Sequence, residues 1–120
     1  MTVRKVLCVD DSAAELSALR KILNDANINV VFATNGKDAI QYAKSEVPDL
    51  IFLDILMPDM DGFKVMRELQ KDPVTKDIPV VFVSSKSQKA DQAWAKLQGG
   101  RGFVPKPVNR EAILEAISRF

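Results

Sequence analysis

Histidine is absent from all 120 residues, and that absence excludes more chemistry than any residue present. Without an imidazole there is no Ser-His-Asp or Cys-His nucleophile pair and no histidine-ligated zinc site. A single cysteine, Cys8, rules out an internal disulfide, which is compatible with the cytoplasm. Cys8 falls inside an apolar run and reads as a small core residue rather than a reactive thiol. Neither GxxxxGK[ST] nor GxGxxG occurs. Charge of one sign is also lacking: 17 basic residues face 16 acidic ones, so no net field draws nucleic acid or an anionic membrane. The apolar runs fall far short of the ~20 residues that span a bilayer. The opening MTVRKV has no signal-peptide core or cleavage site. What remains for chemistry is carboxylates, hydroxyls, a lysine and a hard cation.

The most informative stretch is DLIFLDILMPDMDG, from Asp49 to Gly62. Leu50-Ile51-Phe52-Leu53 has no polar alternation, which fits a strand buried on both faces, and it ends in Asp54. Val6-Leu7-Cys8-Val9 repeats the pattern and ends in Asp10-Asp11. Ser12-Ala13-Ala14-Glu15 then has capping-box form, opening a helix with Leu16, Leu19, Ile22 and Leu23 as its apolar stripe. Asn27 breaks it before a short strand, Val30-Val31-Phe32. Asn35-Gly36 introduces a second helix carrying Ala39, Ile40 and Ala43, which Pro48-Asp49 stops. Phe63, Met66 and Leu69 mark a third helix, ended around Asp72-Pro73. Val80-Val81-Phe82-Val83 is a fourth strand, ending in Ser84-Ser85. Residues 87–98 form a fourth helix with a weaker stripe, Ala90, Trp94 and Leu97, broken by Gly99-Gly100. Phe103-Val104 is a fifth strand, closed by Pro105-Lys106-Pro107, and Asn109 caps a last helix with Ile113, Leu114 and Ile117. Strict alternation with short connections predicts an α/β fold, a parallel sheet with helices on both faces, in one domain.

Four of the five strands end in a residue suited to phosphate or metal chemistry: Asp10-Asp11, Asp54, Ser84 and Lys106. Taken singly, each has an ordinary reading as a helix cap, a turn residue or a solvated lysine. Taken together at the carboxyl edge of one sheet, where open α/β sheets bind ligands, they describe a site. Two carboxylates ~4 Å apart repel by roughly 4 kcal/mol at an effective dielectric near 20, so three in one crevice need positive charge. Lys106 supplies one charge, and an oxygen-only site suits Mg²⁺. A carboxylate held between them can attack phosphorus.

These residues match a family. VDDS at 9–12, LDILMPDMDG at 53–62, FVSS at 82–85 and FVPKP at 103–107 resemble a CheY-like response-regulator receiver domain, from about Lys5 to Ile117. The resemblance implies a flavodoxin-like, doubly wound sheet of five parallel strands in the order 2-1-3-4-5 with five helices. It implies Asp54 as the phosphoacceptor, charged from the phosphohistidine of a separate histidine kinase. Asp11 becomes a direct Mg²⁺ ligand, with Asp10 helping partly through water, Asp54 offering its other oxygen and Leu56 its backbone carbonyl. Lys106 would contact the phosphoryl group, with a cis Lys106-Pro107 bond. Ser84 would be the switch hydroxyl and Phe103 the aromatic that follows it. The missing histidine fits, because the phosphohistidine comes from another protein.

Departures from the family pattern are few. Ser84 stands for the commoner Thr, and Phe103 for the frequent Tyr, so no phenol is offered to a partner. Leu56 is apolar where some members are polar, which bears on the dephosphorylation rate. Pro105 removes a backbone donor beside Lys106, so the end of the fifth strand is expected to be irregular. More narrowly, SSKSQKADQAWAKLQGG at 84–100 resembles the stand-alone regulators of type IV pilus (twitching) chemosensory systems, the PilH type. Trp94 is there either a core residue or an exposed anchor on the surface of the fourth helix, fifth strand and fifth helix.

The chain ends at Phe120, so a single receiver domain over 1–120 without an output domain is expected: a cytoplasmic monomer. It would catalyse only its own phosphorylation and dephosphorylation, and signal to a protein partner around Trp94 and Phe103. A phosphate sink that drains a shared kinase is the alternative within the class. An aspartate-nucleophile phosphatase would want D-x-D after the first strand, where this chain has adjacent Asp10-Asp11. A flavodoxin-like cofactor binder would need a phosphate loop there, which an acidic pair opposes.

Overall fold

The computed structural model describes residues 2–120. Its elements alternate without exception: β1 (Lys5–Val9), α1 (Ala13–Asp25), β2 (Asn29–Ala33), α2 (Gly36–Glu46), β3 (Leu50–Asp54), α3 (Gly62–Lys71), β4 (Val80–Ser84), α4 (Lys89–Leu97), β5 (Gly102–Pro105) and α5 (Arg110–Ser118). All four pairings are parallel, in the order β2-β1-β3-β4-β5, as the resemblance implies.

The unbroken apolar runs of β1, β3 and β4 are explained by two separate cores. Val6, Cys8, Leu50, Phe52, Val81 and Val83 point to one face and pack under α1 and α5. Leu7, Val9, Ile51, Leu53, Val80 and Phe82 point to the other, under α2, α3 and α4. With helices on both faces neither set can be polar. Cys8 belongs to this packing: burial and the nearby charge of Asp10 push its thiol up, so it stays protonated and inert.

The helix boundaries follow from local chemistry. Asn35, Asp61 and Asn109 each accept an N–H from the first turn of α2, α3 and α5. The expected box at Ser12 is only half built: its side chain accepts from Glu15 N, but its own N–H goes to Asp10 Oδ1 at 2.9 Å. At the far ends, Asn27 (φ 60°) closes α1 and Gly99 (φ 102°) closes α4. In both, the next residue's N–H reaches back to the helix, Ile28 to Leu23 O and Gly100 to Ala95 O.

The stripe expected for α4 is not its buried face. Ala90 is exposed, Trp94 is 52% exposed and Leu97 76%, while Ala95 alone in the helix is buried. The reason lies across the interface: the large Phe82 ring fills the space from the sheet side, so the helix needs only a methyl. Gly100 lies so near that ring that an added Cβ would stand 2.7 Å from it. Trp94 is therefore a surface residue. Pairing at β5 holds through Pro105, which has no N–H to give; the Ser84 carbonyl takes Lys106 N–H instead, at 3.0 Å.

Candidate functional site

The register puts the chemistry side by side. Val9 pairs with Leu53 and Asp54 with Val83, so Asp10 follows β1 directly beside the last residue of β3. Ser84 pairs with Pro105, which brings Lys106 to the same edge. α1 leaves the end of β1 on one face of the sheet and α3 leaves the end of β3 on the other, so a crevice opens between the two strand ends.

Lys106 Nζ lies 2.7 Å from Asp10 Oδ2 and 3.4 Å from Asp54 Oδ2. Asp54 is only 3% exposed, and the Leu56 N–H points to its Oδ1 at 3.4 Å, a long contact. Asp10 is also buried, whereas Asp11 is exposed at the crevice mouth. One carboxylate oxygen from each of Asp10, Asp11 and Asp54 lies within 4.8 Å of the others. Burial, and then the charge of Asp10, push Asp54 up to about 6, against the opposing pull of Lys106 and the Leu56 N–H. For Lys106 burial works to lower the value, but the hydrogen bond to Asp10 and the two carboxylate charges outweigh it and leave the ammonium raised.

A divalent hard cation fits this donor set. Three carboxylates face a single ammonium in the crevice, so negative charge is left without a partner. All donors are oxygens, the preference of Mg²⁺, and the exposed Asp11 leaves an open side for its retained waters. Asp10, Asp11 and Asp54 are the residues that could hold it.

Ser84 is fully buried, and its Oγ accepts from Lys86 N at 3.1 Å. Phe103 pairs with Phe82 in the sheet and is half-buried. The Lys106-Pro107 peptide is cis, as the resemblance implies. The surface around Trp94 and Phe103 is divided by α4. A groove of about 560 Å³ on one side is lined by Ala93, Lys96, Arg101 and Phe103. Another, of about 370 Å³, lies on the other side and is lined by Leu56, Phe63, Ala90 and Trp94.

Two further residues of the motif at 53–62 position the site through contacts that only the fold makes. Gly62 N–H donates to Ile55 O at 2.8 Å, folding the loop after Asp54 back onto the strand end. Asp59, in the same loop, accepts Gly36 N–H with both oxygens at 3.2 Å. That contact ties the loop to the N-terminus of α2, and chiefly through it the Asp59 carboxyl is held below its ordinary value. It spans 23 residues, so only a fold could reveal it.

The model of the response regulator receiver domain matches residues 6–118. PilH of Pseudomonas aeruginosa strain PAO1 is 40% identical over 114 residues, 95% of this chain and 94% of PilH. Among solved structures, the chemotaxis protein CheY4 of Vibrio cholerae matches with a TM-score of 0.90 at 29% identity, covering 98% of each chain. A chain of the CheX–CheY–BeF3–Mg²⁺ complex from Borrelia burgdorferi matches with a TM-score of 0.90 at 26% identity, over 97% of this chain and 87% of that one. With this fold, an acidic crevice closed by Lys106, and a match over nearly its whole length, the chain belongs to the response-regulator receiver family.

Proposed function

We propose that this response regulator takes a phosphoryl group onto Asp54 from the phosphohistidine of a histidine kinase and passes the signal on by protein contact. One observation carries the reading: the buried Asp54 carboxylate sits at the end of β3 with Asp10, Asp11 and Lys106 gathered round it. Asp10, Asp11, Asp54 and the Leu56 carbonyl would hold Mg²⁺. When bound, the metal supplies positive charge for the transferring phosphoryl oxygens.

The chain's own groups do the rest. An Asp54 oxygen attacks phosphorus, the O–P bond forms, and the N–P bond breaks with its electrons going to the imidazole. Lys106 neutralises charge on the phosphoryl group and keeps Asp10 and Asp54 in place. Later, water attacks the acyl phosphate and restores the carboxylate. Ser84 would exchange the Lys86 N–H for a phosphoryl oxygen, and Phe103 would follow it, shifting a two-state equilibrium. A downstream protein then reads the surface around Trp94 and Phe103. The 40% identity to PilH supports a place in type IV pilus or chemotaxis-like signalling. Cytoplasmic location and a monomeric, single-domain state belong to the same reading.

The test is uptake from acetyl phosphate: one phosphoryl group per chain with Mg²⁺ present, and none when EDTA removes it. Uptake undiminished by EDTA would refute a metal-dependent transfer. Two further results are expected. Mg²⁺ should raise the melting temperature by linkage, and Asp11→Ala should abolish most of that gain. Equal Mg²⁺ stabilisation of both proteins would remove Asp11 from the ligand set. Ser84→Ala should still accept phosphate but leave the Phe103 ring resonances unmoved in NMR. A wild-type shift in that variant would contradict the switch.

A further inference from the structure

We propose that the groove between the loop after β3 and α4 seats a large apolar side chain of the phosphodonor protein, next to its phosphohistidine. The inference rests on Asp54 being the acceptor. Leu56 is 49% exposed, and its own N–H lies 3.4 Å from Asp54 Oδ1. A donor must bring phosphorus to bonding distance of that carboxylate, so the donor protein covers Leu56. What it covers continues into the groove of about 370 Å³ walled by Leu56, Phe63, Ala90 and Trp94.

The walls of the groove are mostly apolar side chains, Ile55, Leu56, Phe63, Ala90 and Trp94, and its charges do not recruit an anion. The nearest cation, Lys86, is matched by Asp91 at 3.7 Å, and Asp61 is engaged in capping α3. The rim therefore offers no unmatched cation to recruit an anion. The aromatic wall is braced by packing within the chain. Trp94 stands edge-on to Phe63 with centroids 6.4 Å apart, and Phe63 packs on the buried Phe82 at 5.3 Å. A half-exposed Trp held on a fixed base is the type of residue that dominates binding energy at protein interfaces, since little side-chain freedom is lost on docking. The groove beyond α4 differs in kind, being lined by Lys96, Arg101 and Arg119, and it does not include Leu56. The two grooves flanking α4 are thus chemically distinct.

A small donor does not need the groove, and this separates the idea from the chemistry at Asp54. Trp94→Ala removes the anchor, and Ala90→Glu, at an exposed helix position, fills the groove with charge. Each variant is compared with wild type using acetyl phosphate and using the autophosphorylated histidine kinase of the same cell that labels the wild-type chain fastest. Transfer from the kinase should fall about tenfold or more in both variants, the loss of one interface anchor. Labelling by acetyl phosphate should stay within about twofold, within the range of surface changes. Kinase transfer preserved in either variant would overturn the proposal. A parallel fall with both donors would overturn it too, because the groove would then act on the site and not on the donor. So would a survey in which no kinase labels the wild-type chain, even with acetyl phosphate still labelling Asp54.

Discussion

Asp54→Asn is expected to lose phosphate uptake altogether while becoming the more stable protein at neutral pH without metal. The loss follows from chemistry: an amide oxygen is too weak a nucleophile to displace an imidazole from phosphorus. The gain follows from the environment of the carboxylate, and its sign can be worked out. An ordinary aspartate ionises near 3.8, and burial beside Asp10 lifts Asp54 to about 6. Between those values the folded chain holds a proton that the unfolded chain has released. The stability this group contributes is fully present below about 3.8 and is lost as pH rises through about 6. The variant's side-chain amide would be neutral throughout and would not suffer that loss. Melting temperatures of metal-free wild type and variant should therefore coincide near pH ~4 and diverge in favour of the variant by about pH 7. Mg²⁺ should narrow the gap by stabilising only the wild-type carboxylate. A variant that melts below wild type at neutral pH would mean that the crevice is already balanced without a metal.

Gly62→Ala should be among the most damaging single-methyl additions in the chain. A Cβ there would stand 2.3 Å from the Asp54 carbonyl oxygen and 2.9 Å from Ile55 Cα, both main-chain atoms. Flexible side chains can give way, but here the strand end itself would have to move. The cost should reach about 3 kcal/mol, the upper part of the usual range for overpacking. Because the displaced atoms belong to Asp54, phosphate uptake should fall in molecules that remain folded. Gly102→Ala is the matched control, since its Cβ would meet only the Val81 methyls at 3.2 and 3.5 Å. That change should cost less than about 1 kcal/mol. Urea melts of the two variants measure the contrast, and equal costs would show that the loop after Asp54 is free to shift.

The architecture was legible because its signals were local and redundant. β3 and β4 are apolar on every residue up to their last, and β1 on every residue after Lys5, the pattern of a sheet covered on both faces. Asn35, Asp61 and Asn109 sit where caps belong. The acidic crevice was legible as four strand ends sharing one edge, with roles for each residue supplied by the family resemblance. Where the reading failed, a distant contact decided the outcome. Ala90, Trp94 and Leu97 have core spacing, yet α4 rests on Ala95 because Phe82 rises from the sheet to meet it. Periodicity counts large residues and cannot see that a small one carries the contact. The Ser12 box lost its second half because Asp10 claims the Ser12 N–H, which fixes one Asp10 oxygen while Lys106 holds the other. Asp59 and Gly62 lie in the motif at 53–62, but what they hold was hidden, since their partners, Gly36 and Ile55, become neighbours only in the fold.

The central claim is that Asp54, and no other group in the crevice, carries the phosphoryl group. Acyl phosphates are reduced by borohydride to alcohols, which turns a phosphorylated aspartate into homoserine and leaves free carboxylates untouched. The chain should be loaded with acetyl phosphate and Mg²⁺, reduced with borohydride, digested and sequenced by mass spectrometry. Homoserine at position 54 alone, and absent when acetyl phosphate is omitted, is the expected result. Homoserine at Asp10 or Asp11, phosphate retained on Ser84, or no conversion at position 54 would contradict it.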